Sequence, residues 1–246
     1  MMRSLGLALT FLTIFPYPRH LAGSAADLAR AMIWFPLIGL LLGLFLWLVY
    51  FGLVLLFPAA VVSAGLIAVL AVATRGLHLD GLADTLDGLG GGYSPAASLR
   101  IMKDSALGAF GVLGLILILL LKFALILALT ERAEVSALIL FPIISRWSMV
   151  GLAYLSPYAR PEGGLGQPMT SLVAGREVLI ASLSAVLLAG LIYRWRGLVA
   201  LGLVALSTWM ASRYFKHRLG GITGDVLGAI NELHEALTLA VALALR

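Results

Sequence analysis

Cysteine is absent from this sequence, and charged side chains are scarce in it. Without cysteine the chain can form neither a disulfide bond nor a thiolate metal site. Only 12% of the residues are charged, against roughly 25% in an average soluble domain, and 61% are hydrophobic. This composition excludes an ordinary soluble domain and indicates an integral membrane protein.

The commonest catalytic templates of soluble enzymes are missing as well. The sequence contains no GxxxxGKS or GxxxxGKT phosphate loop, no HExxH zinc helix and no GxSxG nucleophile elbow. Any chemistry must therefore come from the few polar residues that interrupt or flank the apolar segments.

Long stretches free of charge make up most of the chain. Residues 31–57 carry no charged side chain, and about 20 apolar residues are enough to cross the hydrocarbon core of a bilayer. These stretches are apolar on every face instead of alternating, which favours helices over a membrane barrel. We predict an all-α, polytopic integral membrane protein with about seven transmembrane helices, forming a single catalytic domain over residues 1–246. The predicted spans are 31–57, 59–74, 108–129, 135–155, 177–193, 198–212 and 226–245.

A shorter apolar run, residues 5–15, precedes the first span. It ends at Pro16 and is too short to cross the membrane. A cleaved secretory signal is one interpretation of this run. Because no small-residue cleavage site follows closely, we favour a helix that lies at the interface or re-enters the membrane.

The net charge of +5 is explained by membrane topology and does not require a nucleic-acid partner. With a cytoplasmic N-terminus and seven spans, eleven basic residues face the cytoplasm and four face outward, as the positive-inside rule expects. The eleven are Arg3, Arg19, Arg30, Arg75, Arg100, Lys103, Arg160, Arg176, Arg213, Lys216 and Arg218, and the four are Arg132, Arg194, Arg196 and Arg246. This orientation brings the polar loops 75–107, 156–176 and 213–225 to the cytoplasmic side.

The segment GLHLDGLADTLDG carries Asp80, Asp84 and Asp87 in this otherwise apolar chain. On a helix these positions lie within about 60° of one another, so the carboxylates form one stripe. Because unpaired anions repel and are costly near a membrane, the stripe predicts a divalent metal or another bound cation. Gly81 and Gly88 leave room for a ligand or a neighbouring helix. A helix start with solvated acids is the alternative.

Two further segments place polar residues immediately before predicted spans. RIMKDSALGAFG carries Arg100, Lys103 and Asp104, where the acid suits a metal ion and the cations suit phosphate oxygens. Anchoring at the membrane surface is the alternative for the two cations. GGITGD places Asp225 at the start of the last span, either as a metal ligand or as a helix cap.

Other polar residues lie deeper in the predicted spans. Arg146 interrupts an apolar span and needs an anionic partner, which is either a carboxylate in a structural ion pair or a substrate phosphate. Glu232 and Glu235 share one face of the last span, where acids mark a site or a buried pair. For His78 and His234, hydrogen-bonded histidines are favoured over metal ligands.

Five motifs in a fixed order resemble those of one known family. They are HLDGLADTLDGL, MKDSALGAFG, the SRW of residues 145–147, PYARPEGGLG and GGITGDVLGA. Together they extend over nearly the whole chain and are similar to motifs of the adenosylcobinamide-GDP ribazoletransferases, the cobalamin synthases. One departure is PEGGLG, which has an additional Gly163 or Gly164 where the family has PEGLG.

The resemblance implies a Mg²⁺-dependent phosphotransferase of the bacterial inner membrane. Such enzymes join adenosylcobinamide-GDP to α-ribazole or its 5′-phosphate and release GMP. The motif residues are then expected to act as follows: Asp84, Asp87 and Lys103 as catalytic residues; Asp80, Asp84, Asp87, Asp104 and Asp225 as metal ligands; and Gly88, Arg100, Lys103 and Arg146 as substrate contacts. The expected partners are the two substrates and the lipid bilayer, and association into homo-oligomers is left open.

Two other functions agree with parts of the sequence. The CDP-alcohol phosphotransferases share Asp84, Asp87 and Gly88 at the right spacing, but Gly91 and Gly92 replace the Ala-Arg of their pattern. A cation-coupled transporter would also carry acids within the membrane. Transporters usually hold such sites near the midplane between repeats, however, and this sequence shows no internal repeat.

Overall fold

The computed structural model describes residues 2–16, 23–164 and 166–245, and within these ranges the chain forms α-helices and no β-strand. The all-α prediction is confirmed. The helices are α1 (Met2–Leu12), α2 (Ala25–Ala31), α3 (Phe35–Val54), α4 (Ala59–Ala73), α5 (Leu77–Gly91), α6 (Pro95–Ile101), α7 (Ala109–Glu131), α8 (Ala137–Leu155), α9 (Gln167–Ser171), α10 (Gly175–Leu219) and α11 (Gly224–Ala244). A 3₁₀ turn, Met32–Trp34, joins α2 to α3.

Among the described residues, five helical segments are long and apolar enough to cross a membrane, as a polytopic protein requires. They are Ala25–Val54, which combines α2 and α3, and the helices α7, α8, α10 and α11. Helices α4 and α5 are bent by 89° at a short break, and as a broken or re-entrant pair they give a sixth candidate. The number of about seven transmembrane helices is not confirmed by this count.

The 45-residue helix α10 doubles back at Arg194, whose φ of 55° and ψ of −141° are not helical. Near its start, a Cβ placed on Gly175 would lie 3.7 Å from the Tyr154 hydroxyl. Near its end, Ser212 contacts Ser156 through their hydroxyls at 2.9 Å. Both ends of α10 therefore lie beside the C-terminal end of α8, so its two halves run in opposite directions. They correspond to the two separate spans predicted for this region.

Helix α1 packs where α4 bends into α5. The Ile14 amide donates a hydrogen bond to the Ala73 carbonyl at 2.8 Å, and the Arg75 guanidinium donates to the Thr10 carbonyl at 2.7 Å. At eleven residues, α1 is shorter than the about 20 residues that a span needs. An interfacial or re-entrant position for it stays a prediction. Arg19 and Arg246, which entered the topology count, lie outside the described residues.

The helix bundle has two ends with different chemistry. At one end, here called the aspartate end, α7 and α11 begin and α8 stops. Glycine and threonine set the turn there, because Gly220 adopts a φ of 79° after α10, and the Thr223 hydroxyl accepts the Val226 amide to cap α11. At the opposite end, the Tyr193 hydroxyl lies 3.1 Å from Glu134.

Four buried charged side chains, here called the ion network, join α7, α8 and α11. Lys122 donates to Glu232 at 2.7 Å and also to Glu235, and Arg146 donates to Glu235. None of the four side chains is more than 5% exposed. The two positive and two negative charges cancel, which removes most of the cost of holding them inside a membrane. The sequence left two partners open for Arg146, a carboxylate or a substrate phosphate. In the structure its partner is a carboxylate, that of Glu235.

We predict that Lys122→Met destabilises the protein far more than the paired variant Lys122→Met/Glu232→Gln. The single change leaves a buried carboxylate without its cation, which costs about 3 kcal/mol. The paired change leaves Arg146 and Glu235 as a neutral pair, so at least half of the loss in thermal unfolding temperature should be recovered. Fluorescence-detected size exclusion after heating in detergent measures both.

The matched control for this experiment is Lys103→Met. Lys103 lies 3.8 Å from Glu162, and both side chains are more than half exposed. Exposed pairs contribute little, so the unfolding temperature should stay near that of the wild type. A paired variant as unstable as Lys122→Met would contradict the charge-balance explanation of the ion network.

Candidate active site

Helix α5 lies against α11 with only glycine between the two backbones. A Cβ on Gly81 would stand 2.7 Å from the Asp225 carbonyl oxygen, and one on Gly228 would stand 3.2 Å from the His78 Cα. Residue 78 of α5 lies next to residue 228 of α11, and residue 81 lies next to residue 225. Because residue numbers rise along α5 where they fall along α11, the two helices run antiparallel. This contact carries the carboxylates of α5 to the first turn of α11, where Asp225 stands.

A cavity of about 600 Å³ opens between α5, the loop after α6 and α7. Its polar lining includes Asp80, Asp84, Arg75 and Ser105. Asp80 is exposed and Asp84 is half-buried, and neither carboxylate accepts a hydrogen bond from another described residue. Both side chains are therefore available to a ligand.

Asp84 stands in a field that is mostly negative. The carboxylates of Asp80, Asp225 and Asp87 all act on it, and Arg160 is the cation that opposes them. Even with Arg75, which lines the same cavity, two positive charges do not balance four carboxylates. A cation entering the cavity would therefore be stabilised by electrostatic attraction.

Asp87 belongs to the same stripe but makes different contacts. Its two carboxylate oxygens accept the backbone amides of Gly108 and Gly111, each at 2.8 Å. These amides lie at the start of α7, where helix N–H groups lack partners within the helix and the dipole favours a negative charge. Asp87 is 7% exposed. Its contacts make it a cap for α7, so a direct metal contact is not needed to explain it.

Asp225 forms an ion pair with Arg160, a residue that the sequence did not single out for the site. The Arg160 Nη2 atom lies 2.7 Å from Asp225 Oδ2 and 3.4 Å from the Met102 carbonyl oxygen. The signal for Arg160 was its place in the motif PYARPEGGLG. Arg75 and Ser105 are two more site residues without a predicted role; Ser105 lies within the motif MKDSALGAFG, whereas no motif includes Arg75.

The other predicted site residues occupy separate places. Arg100, Lys103 and Asp104 are exposed on α6 and the loop that follows it. Asp104 accepts the Ala106 amide at 3.0 Å, and Lys103 pairs with Glu162. This loop also supplies Ser105 to the cavity lining, whereas none of the three charged residues lines the cavity itself.

Gly88 faces protein, since a Cβ on it would lie 2.9 Å from the Ser98 carbonyl oxygen of α6. Of the two neighbours expected for Gly88, a ligand or a helix, the helix is the one present. His234 contacts the Ser148 and Ser207 hydroxyls, as expected of a hydrogen-bonded histidine. His78 is buried and has no hydrogen-bond partner among the described residues.

No group of three or more acidic or histidine side chains within the described ranges is arranged to hold a metal ion by itself. Mg²⁺ commonly takes one or two carboxylates and completes its six oxygen ligands with water and substrate phosphates. Asp80 and Asp84, with oxygen atoms facing a large cavity, fit that mode. The chemistry of the donors therefore suits a magnesium ion that is held together with a phosphorylated substrate.

The fold and the cavity define a polytopic helical membrane protein with an acidic site at one end of its bundle. Residues 4–243 match the family model described as cobalamin-5-phosphate synthase. Two relatives, each called adenosylcobinamide-GDP ribazoletransferase, come from Syntrophobacter fumaroxidans and Geotalea daltonii. The first is 44% identical over 240 residues (96% of each chain), and the second is 40% identical over 246 residues (100% of this chain and 98% of the relative).

The chain therefore belongs to the cobalamin synthase family, and the resemblance drawn from its five motifs is confirmed. No solved structure matches it.

We predict that Asp87→Ala destabilises the protein and that Asp84→Ala does not. Asp87→Ala removes the acceptor of two amides at the start of α7 and should lower the free energy of unfolding by about 1–3 kcal/mol. Asp84→Ala removes one of several repelling charges and breaks no hydrogen bond, so stability should be unchanged or slightly higher. Thermal unfolding of both variants in the same detergent measures the difference. Equal destabilisation would show that Asp84 also supports the fold.

Proposed function

We propose that this protein transfers the adenosylcobinamide phosphoryl group from adenosylcobinamide-GDP to α-ribazole or α-ribazole 5′-phosphate. The products are GMP and adenosylcobalamin or its 5′-phosphate, which makes this a late step of cobalamin synthesis. Family membership supports the reaction class. The observation that supports the assignment to this site is the cavity lined by Asp80 and Asp84, both within a family motif. Their carboxylates have no partner in the part of the chain that the structure describes.

Neither alternative function is favoured. The match over residues 4–243 is to the cobalamin synthases, whereas the CDP-alcohol phosphotransferase pattern agrees at only a few positions. For a transporter, acids in the middle of the membrane would have to be free to bind and release an ion. In this chain Glu232 and Glu235, the deep acids, are engaged by Lys122 and Arg146. Asp80 and Asp84, the cavity acids without partners among the described residues, lie at the aspartate end.

Mg²⁺ is the cofactor that we propose for this site. Asp80 and Asp84 would hold it, with Asp225 next to them on α11. When bound, the ion would neutralise the diphosphate of the donor and stabilise charge on the leaving phosphate. Lys103 and Arg100, exposed on α6 and the loop that supplies Ser105 to the cavity, would contact phosphate oxygens of the donor.

The proposed reaction is a single displacement at phosphorus. The ribazole hydroxyl oxygen forms a bond to the phosphorus that carries cobinamide, and the bond from that phosphorus to the bridging oxygen breaks. The bridging oxygen leaves with GMP, and the hydroxyl proton passes to a carboxylate of the cavity. The chain's contribution is to position both substrates and to accept that proton. Asp80 or Asp84 would accept the proton through a carboxylate oxygen that does not bind the metal ion, since both oxygens of Asp87 are engaged by α7.

We also propose that the protein lies in the bacterial inner membrane with the aspartate end in the cytoplasm. Cations of that end outnumber those at the opposite end, as the positive-inside rule expects of a cytoplasmic face. The described ones are Arg3, Arg30, Arg75, Arg100, Lys103, Arg160, Arg176, Arg213, Lys216 and Arg218, compared with Arg132, Arg194 and Arg196. Labelling of single cysteines, introduced into this cysteine-free chain, would test the orientation.

We predict that the purified protein releases GMP from adenosylcobinamide-GDP when α-ribazole and Mg²⁺ are present, and that EDTA abolishes this release. Asp84→Asn should lose about 100-fold or more of the turnover, the scale seen when one group that stabilises the transition state is removed. Product formation by chromatography and thermal unfolding are measured on the same samples. The fold of this variant should be intact, because the Asp84 carboxylate accepts no hydrogen bond from any other described residue.

The control substrate is a CDP-alcohol donor with the same acceptor, from which no CMP should be released. Full turnover in EDTA would exclude the metal-dependent reaction. CMP release without GMP release would instead support the CDP-alcohol phosphotransferase alternative.

A further inference from the structure

Arg160 lies against the first turn of α11, its charge acts on Asp84 of the acidic cavity, and part of its guanidinium has no hydrogen-bond partner among the described residues. Its Nη2 atom binds Asp225, and its Nε atom is buried without a hydrogen-bond partner. The side chain is 14% exposed and that of Asp225 is 24% exposed. Arg160 is thus a largely enclosed cation with donor capacity to spare, next to the carboxylates that line the cavity.

The backbone that carries Arg160 is fixed to α11. The Ala159 amide donates to the Ile222 carbonyl and the Ile222 amide donates to the Pro157 carbonyl, both at 2.9 Å. Gly221 fits against Pro157, where no side chain would have room. Any movement of Arg160 is therefore confined to its side chain, while its Cα stays beside Asp225.

The charges around Asp225 would allow a bound cation to take the place of Arg160 as its partner. Arg160 opposes the field of Asp80, Asp87 and Asp225 at Asp84, and its single charge leaves that field negative. A divalent cation held by Asp80 and Asp84 would repel the guanidinium and compete with it for Asp225. A donor diphosphate arriving with the ion would offer oxygen atoms that match the planar fork of arginine.

We propose that Arg160 is an exchangeable counter-ion of this site. It neutralises Asp225 while the cavity is empty and turns to a phosphate oxygen of the donor when the metal ion and the diphosphate bind. This inference rests on the proposed function, and it adds a positioning role for a residue outside the predicted ligand set. A structural ion pair of the same geometry would stabilise the fold without affecting metal affinity.

The test is a comparison of Mn²⁺ binding and donor use in the full-length protein in lipid nanodiscs. Without donor, Arg160→Gln should bind Mn²⁺ about five- to ten-fold more tightly, because a competing positive charge has been removed. With α-ribazole saturating, the same variant should show at least a ten-fold higher KM for adenosylcobinamide-GDP. Electron paramagnetic resonance of free Mn²⁺ gives the affinity, and GMP release gives the KM.

Two further variants separate the proposal from general effects of charge or folding. Arg160→Lys keeps the charge but loses the planar fork, so Mn²⁺ affinity should stay within about two-fold of wild type while the KM still rises. Lys216→Gln removes an exposed cation at the same end of the bundle and should leave Mn²⁺ affinity unchanged, since solvent and salt screen it.

Different results would contradict the counter-ion role of Arg160 and the metal-dependent function. Equal or weaker Mn²⁺ binding by Arg160→Gln, with wild-type binding intact, would overturn the counter-ion role and leave the proposed function in place. Should Arg160→Gln fail to fold, Arg160→Lys decides the question, because an unchanged KM in that variant would also overturn the role. Absence of Mn²⁺ binding in the wild type, together with turnover in EDTA, would contradict the metal-dependent function itself.

Discussion

A charge enclosed in a membrane protein must be neutralised, and this constraint arranges the polar residues of the chain. Deep in the bundle the constraint is met within the protein, where Lys122 and Arg146 balance Glu232 and Glu235. At the aspartate end it is not met, because the carboxylates of Asp80 and Asp84 have no partner among the described residues. The difference between the two groups of acids separates the structural cluster from the candidate site. Excess negative charge marks a place that a cation from outside completes.

Small residues determine where that excess charge is built. Because Gly81 and Gly228 let α5 and α11 touch, Asp225 acts electrostatically on Asp84, although the two acids are about 140 residues apart in sequence. The contact continues deeper, where His78 of α5 lies beside the ion network that holds α11 to α7 and α8. The ion network therefore fixes the helix that carries Asp225, and the glycine contact fixes the helix that carries Asp84. The buried packing of α11 and the positions of the acids at the aspartate end therefore depend on the same helix contacts.

The helical class, the polytopic character and most span positions could be predicted from the sequence, because apolar length and periodicity are local properties. The stripe of Asp80, Asp84 and Asp87 is likewise a property of one helix, and α5 is helical over all three. The structure added what depends on neighbours. The partner of Arg146 lies 89 residues away, and that of Lys122 lies 110 residues away, so no spacing rule could identify either. Arg160 escaped prediction for the same reason, since its significance comes from Asp225 on another element.

The stripe also shows why residues of one helix face do not share one role. Asp87 lies one turn beyond Asp84, at the level where α7 begins, and the free amides of that helix engage both of its oxygens. Asp84 and Asp80 lie earlier on α5, where no helix start faces them, and they remain open to the cavity. With two open carboxylates, the protein alone supplies too few oxygens for a magnesium ion, and the donor diphosphate is the natural source of the others. On the proposed function, metal and donor therefore stabilise each other's binding, and the ion is held firmly only when the bond to be broken is in place.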